Sequence, residues 1–162
     1  NRDDSYKYMA RCYEDFGPVL SPLNKIEFIR ILLFNFITGN GDAHLKNFSL
    51  LETADGDMQL SPSSDLMNTK IHVRDSPVAL NLFRELERTS LPRGQVYVYT
   101  MNDFMELGRR FGLTEKLLQK ITTDFTDKSD TMRIFIRKSF LSEKAKKKYE
   151  DVIVRQVAQL FS

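Results

Sequence analysis

The apolar positions of the chain first fall into register at Ile26, Ile29, Leu33 and Phe36, which share one face of a helix. Phe28, Leu32, Phe34 and Ile37 fill much of the remaining circumference. A helix that is apolar on nearly all sides is a buried one, so residues 21–38 are expected to form the spine of a core. Ser21 and Pro22 mark its start, as N-cap and first helical position. Gly39 and Gly41 break it at the other end. One polar residue, Asn35, interrupts the run from Ile31 to Ile37. Ahead of this segment, Ser5 to Phe16 predicts a shorter helix stopped by Gly17 and Pro18.

The period then changes. Phe48 to Leu51 reads as a short strand, Ala54-Asp55-Gly56-Asp57 as a turn, and Met58 to Leu60 as the returning strand, closed by Ser61 and Pro62. An irregular stretch from Ser63 to about Arg93 follows. Beyond it, helical spacing predicts Asn102–Phe111, Glu115–Thr123, Ser129–Phe140 and Glu143–Phe161, with Gly112 capping the first of these. The last carries Ala145, Tyr149, Val152, Gln156 and Leu160 on one face. The fold class this layout predicts is mainly α with one small β-hairpin.

Composition narrows the class. The 162 residues suit one domain, and 41% apolar with 28% charged residues is a globular mix rather than a disordered one. A formal net charge of +2 provides no overall field for nucleic acid or membrane. The single cysteine, Cys12, has no partner in the chain, which excludes an internal disulfide framework and fits a reducing compartment. No apolar run reaches the roughly 18–20 residues of a membrane span. With no leader pattern visible, the expected location is cytoplasmic, without membrane attachment. The first residue is Asn1 rather than Met, which suggests a processed product or a fragment.

The chemistry is concentrated in Asn40-Gly41-Asp42-Ala43-His44-Leu45-Lys46-Asn47, followed by Asp65. Phosphoryl transfer from ATP needs an Asp to orient the attacking hydroxyl or accept its proton. It also needs oxygen ligands for Mg²⁺, which in protein kinases are an Asn five residues after that Asp and a second Asp beyond a hairpin. Asn47 is five residues after Asp42, and Asp65 lies just past the predicted hairpin. One Asn and one Asp suit a hard cation that keeps several waters. Taken singly, Asp42 can cap a turn, Asn47 can satisfy a loop backbone and Asp65 can N-cap a helix. The set is more specific than its members, because residue type, spacing and strand context agree. His44, two residues after Asp42, can donate a hydrogen bond to a phosphate oxygen. A zinc site is disfavoured, since there is one cysteine and the other histidine, His72, is distant in sequence. Lys46 reads as a solvated lysine.

At these residues the sequence resembles the HipA family of bacterial toxin kinases. Leu33 to Ile37 leading into Gly39 to Leu51 is similar to that family's catalytic segment. Leu60-Ser61-Pro62 followed by Asp65 to Thr69 is similar to its metal-binding segment. The resemblance is specific over residues 31–70 and architectural elsewhere. It implies that residues 1–162 form the helical C-lobe of a protein-kinase-like fold: 21–38 the core helix, 39–70 the catalytic loop, hairpin and metal segment, 100–162 the helical remainder. It also implies that Asp42 is the catalytic Asp, that His44 faces the γ-phosphate of ATP, and that Asn47 and Asp65 hold Mg²⁺. Members phosphorylate protein Ser/Thr hydroxyls, and characterised ones act on aminoacyl-tRNA synthetases. They are neutralised by a small helix-turn-helix antitoxin, through which DNA is contacted indirectly. Ser64 departs from the aromatic that often precedes the metal-binding Asp. No Gly-x-Gly-x-x-Gly loop occurs, and too few residues precede Ser21 to build a sheet lobe. The expectation is therefore a C-lobe whose N-lobe is absent from these residues and is supplied in cis or in trans. Isolated, it is expected to bind Mg-ATP weakly, because the transferring phosphate needs water excluded around it.

Two other readings remain open. Asp-x-His-x-x-Asn also resembles the loops of aminoglycoside phosphotransferases and phosphoinositide kinases, which phosphorylate small molecules or lipids. Alternatively the chain is a non-catalytic binding module: Lys144, Lys146, Lys147 and Lys148 form one basic cluster, and Arg133, Arg137 and Lys138 another. Glu143, Glu150 and Asp151 dilute that field.

Overall fold

A computed structural model describes residues 20–73 and 98–162. The predicted helix at Ser5–Phe16, and most of the irregular stretch before Arg93, lie outside the described residues. The elements run α1 (Pro22–Thr38), a 3₁₀ turn (Leu45–Asn47), β1 (Leu50–Glu52), β2 (Met58–Leu60), α2 (Met101–Arg110), α3 (Glu115–Asp127), α4 (Ser129–Lys138) and α5 (Glu143–Leu160). The architecture is mostly helical with one two-stranded antiparallel hairpin, as the patterning predicts. Among the described residues no helix is long and apolar enough to cross a membrane.

α1 starts where its sequence says it should: the Ser21 hydroxyl accepts the Asn24 N–H at 3.3 Å, with Pro22 in the first turn. It ends at Gly39, whose φ of +76° is the left-handed conformation that glycine adopts without a Cβ penalty. Asn40 N–H then reaches back to the Asn35 carbonyl at 2.8 Å and closes the helix end. Ile29, Leu32, Leu33, Phe36 and Ile37 are all buried, so α1 is the core helix that its all-round apolar pattern predicts.

Around α1 pack Phe104 and Leu107 of α2, Leu118 and Ile121 of α3, Ile136 of α4, and Ile153 and Leu160 of α5. The Phe36 and Phe104 rings meet edge-on with centroids 5.4 Å apart. Gln156, on the buried face of α5, donates from Nε2 to the Phe36 carbonyl at 3.0 Å. That bond pins α5 to the C-terminal end of α1, next to the loop carrying the motif.

Several boundaries differ from the expected ones, by one residue at both ends of α2 and at the end of α5 and by more elsewhere. The first strand begins at Leu50 rather than Phe48, because the Phe48 ring leaves the ladder to pack edge-on against Phe28 at 5.3 Å. The hairpin register pairs Leu50 with Leu60 and Glu52 with Met58. α3 continues to Asp127, and α4 stops at Lys138, which leaves Phe140 outside any helix. Gly112 caps α2 as predicted: at φ +76° it donates to the Arg109 carbonyl, and Leu113 donates to Gly108.

Candidate active site

The motif begins where α1 ends. Gly39 turns the chain out of the helix, and its carbonyl accepts from Thr69 N–H at 3.1 Å, Lys70 N–H at 3.3 Å and the Thr69 hydroxyl at 3.3 Å. The Thr69 hydroxyl oxygen in turn accepts the Gly41 N–H at 2.9 Å. Two segments some 30 residues apart in sequence are thereby stitched together by backbone and hydroxyl groups. The loop then tightens: His44 N–H donates to the Asp42 carbonyl at 2.7 Å, and Asn47 N–H to the His44 carbonyl at 3.0 Å. The second of these bonds closes the 3₁₀ turn that carries Asn47.

The hairpin returns the chain to the same place. Asn24 of α1 anchors β2 at both ends of its side chain, donating to the Met58 carbonyl at 3.0 Å and accepting the Leu60 N–H at 3.1 Å. Past Pro62 the chain reaches Asp65, whose φ of +55° makes it the one described non-glycine residue in the left-handed region. Such backbone costs about 1–3 kcal/mol and persists where its surroundings over-determine it. Here the Asn47 amide donates to the Asp65 carboxylate at 2.7 Å.

The structure thus brings Asn47 and Asp65 into direct contact. Asp42 and His44 sit on the same loop as Asn47, and Asp42 is joined to Asp65 through the side chain of Asn40 rather than directly. The Asp42 and Asp65 residues are exposed, His44 and Asn47 half-buried. Neither Asn47 nor Asp65 takes the isolated role open to it in sequence: the Asn47 amide spends its proton on a carboxylate, and no described helix begins at Asp65.

Two buried atoms at the site lack a protein partner, Asn47 Oδ1 and His44 Nδ1. A shielded acceptor next to a carboxylate is the donor set a hard cation takes, with water or phosphate oxygens completing the shell. Asn47 and Asp65 therefore fit Mg²⁺. Among the described residues no group of three or more His, Cys, Asp or Glu side chains could hold a metal. Lys46 is exposed.

Residues that the motif reading passed over hold the site together. Asn35 was visible only as a flaw in an apolar helix; it is 2% exposed, and its Oδ1 accepts from Asn40 Nδ2 at 2.9 Å. Thr69 carried no signal beyond its place in the string. Three of the seven residues of the basic clusters pair with acids: Arg133 with Asp130 at 3.3 Å, Arg137 with Glu150 at 2.7 Å and Lys146 with Glu143 at 2.8 Å. Arg137 holds the Glu150 carboxyl below the usual carboxylate range. Lys148 leans toward the Ile71 carbonyl at 3.4 Å.

The chain belongs to the HipA-like C-terminal domain family, which matches residues 1–132. It is 33% identical over 118 residues to a Sinorhizobium fredii protein named "Putative kinase Y4dM", covering 70% of this chain and 27% of that protein. It is 26% identical over 125 residues to a Haemophilus influenzae protein named "Putative kinase", covering 72% of this chain and 36% of that one. The chain thus spans about a third of the length of these curated relatives. Its fold is similar to that of a chain in the Shewanella oneidensis toxin–antitoxin complex of HipA, HipB and operator DNA, with a TM-score of 0.55 and 21% identity. That likeness covers 84% of this chain and 30% of the other.

Proposed function

We propose that the chain is the C-lobe of a HipA-like kinase and carries the phosphoryl-transfer residues for ATP- and Mg²⁺-dependent phosphorylation of a protein Ser/Thr hydroxyl. The observation that carries this reading is the Asn47–Asp65 contact of 2.7 Å, with Asn47 Oδ1 buried and unpartnered beside it. The membership in the HipA-like family and the kinase names of its relatives support it.

Asp42 has the role of a proton acceptor: its carboxylate, exposed at the mouth of the loop, takes a hydrogen bond from the attacking hydroxyl and orients it. Asn47 Oδ1 and the Asp65 carboxylate would be the protein ligands for the cation. Bound with ATP, Mg²⁺ neutralises charge on the phosphates. His44 would donate from its imidazole to a phosphate oxygen. Its neutral form offers one N–H and its protonated form two.

The chain spans a third of its relatives, so the elements that cover the phosphates are assigned to sequence beyond these residues, in cis or in trans. The solved neighbour is a complex with HipB and operator DNA, which supports a helix-turn-helix antitoxin as partner, with DNA reached through it. An aminoacyl-tRNA synthetase is the proposed protein substrate by family resemblance alone.

The test is Asp42→Asn in the full-length protein, assayed by transfer of labelled phosphate from ATP. The substitution removes the charge with almost no change in volume, and loss of a proton acceptor should cost about 10²–10⁴ in rate. Wild-type turnover in that variant refutes the assignment. Mass spectrometry of the product identifies the acceptor: a phosphoprotein supports the reading, and a phosphorylated sugar or lipid without phosphoprotein replaces it.

A further inference from the structure

Asn40 links the end of α1, the start of the motif loop and the Asp65 segment. Its side chain is 2% exposed. Nδ2 donates to Asn35 Oδ1 at 2.9 Å, in the last turns of α1, and to the Asp65 carbonyl at 2.9 Å. Oδ1 accepts the Asp42 N–H at 3.2 Å. A carboxamide has two amide protons and one oxygen, so its donors are fully committed, to two different parts of the chain.

The arrangement accounts for two features that otherwise stand alone. A polar side chain inside an apolar helix is costly unless it is bonded, and Asn35 is bonded to Asn40. The backbone partners fix which way the Asn40 amide faces, because the Asp65 carbonyl can only accept and the Asp42 N–H can only donate. Asp65 sits in left-handed backbone that needs constraint from outside, and the bond from Asn40 falls on its own carbonyl.

We propose that Asn40 is a positioning residue that locks the backbones at Asp42 and Asp65 into one register, so that the proton acceptor and the metal-binding carboxylate keep a fixed separation. This rests on the roles given to Asp42, Asn47 and Asp65 above. Asn40 touches no reacting atom and acts through the two aspartates.

The experiment is a Mn²⁺ titration of the chain, read by paramagnetic broadening of backbone amide NMR signals, which detects weak binding. In the wild type the broadening centres on residues 47 and 65. Asn40→Asp is nearly isosteric and keeps an acceptor for the Asp42 N–H, but sets a carboxylate oxygen against the Asp65 carbonyl. Its added charge alone would attract the cation. The proposal expects the opposite: the Mn²⁺ midpoint rises about tenfold or more, the usual effect of losing a group that supports a metal ligand. Gln156→Ala is the control, since it breaks a buried bond to the end of the same helix and leaves the Asn40 bonds intact. It should leave the midpoint where it was. An unchanged or lowered midpoint in Asn40→Asp, or an equal rise in Gln156→Ala, overturns the proposal. Asp65→Asn separates the two levels of the argument. If it abolishes local broadening while Asn40→Asp does nothing, the metal site stands and the role of Asn40 falls. If broadening persists in Asp65→Asn, the site itself is wrong. Should Asn40→Asp not fold, Asn40→Ser, smaller and uncharged, is read by the same midpoint.

Discussion

Gly39 is where the core, the motif loop and the segment 65–70 meet, and replacing it tests whether they are coupled as the structure indicates. A Cβ at this position would lie 2.5 Å from Val152 Cγ1 on α5, 3.3 Å from Lys70 Cδ and 3.4 Å from Asn68 Oδ1. Gly39→Ala therefore meets two separate costs. Holding a non-glycine residue at φ +76° costs about 1–2 kcal/mol. Forcing a methyl into the side of Val152, which is 3% exposed, adds about 1–3 kcal/mol. Together they remove about 2–5 kcal/mol, a large part of the 5–15 kcal/mol typical of a domain. Val152→Ala makes room for the methyl but does nothing for the backbone. In that background Gly39→Ala should cost only the conformational part, about 1–2 kcal/mol, so the pair couples by about 1–3 kcal/mol. Urea unfolding of the four chains, followed by far-UV circular dichroism since there is no tryptophan, measures the cycle. Additive costs would refute the close approach of α5 to the helix end. The displaced Gly39 carbonyl should also release Thr69 and Lys70, visible as faster amide exchange at both.

Further outcomes are expected. Asp65→Asn keeps an acceptor for the Asn47 amide and tolerates left-handed backbone, so stability should stay within about 0.5 kcal/mol while cation binding is lost. Equal binding would sink the ligand assignment. Phe36→Ala, at the centre of the core against Phe104, should cost about 3–5 kcal/mol in the same unfolding assay, and under 1 kcal/mol would contradict its placement. Burial raises the Tyr149 hydroxyl above its ordinary value of 10.0. The folded state thus favours the neutral phenol: the stability it contributes is complete below the unfolded value and is lost as pH rises above it. Tyr149→Phe should flatten the alkaline fall in stability, and an unchanged slope above pH 10 would show that Tyr149 is not responsible. These 162 residues alone should bind Mg-ATP weakly and transfer little phosphate; micromolar binding by calorimetry would contradict the need for a covering lobe.

Local rules carried much of this protein. The N-cap at Ser21, the stop at Gly39, the hairpin around Gly56 and the cap at Gly112 are decided by a few neighbouring residues, so they could be read before any coordinates. The helical class and the fixed spacing from Asp42 to Asn47 were legible for the same reason, because backbone conformation and periodicity are short-range properties. The start of the first strand was less so. Phe48 leaves its strand for the Phe28 ring, and that choice depends on a partner 20 residues away.

What the sequence could not decide is which side chains meet. Asn47 and Asp65 are 18 residues apart, and their contact depends on hairpin register and on a strained backbone that other segments hold in place. Asn35 reads as an interruption and Thr69 as filler, yet Asn35 holds the Asn40 side chain and Thr69 ties the motif loop to a segment 28 residues on. A buried polar group has meaning only through its partner, and partners of this kind are chosen by packing in three dimensions.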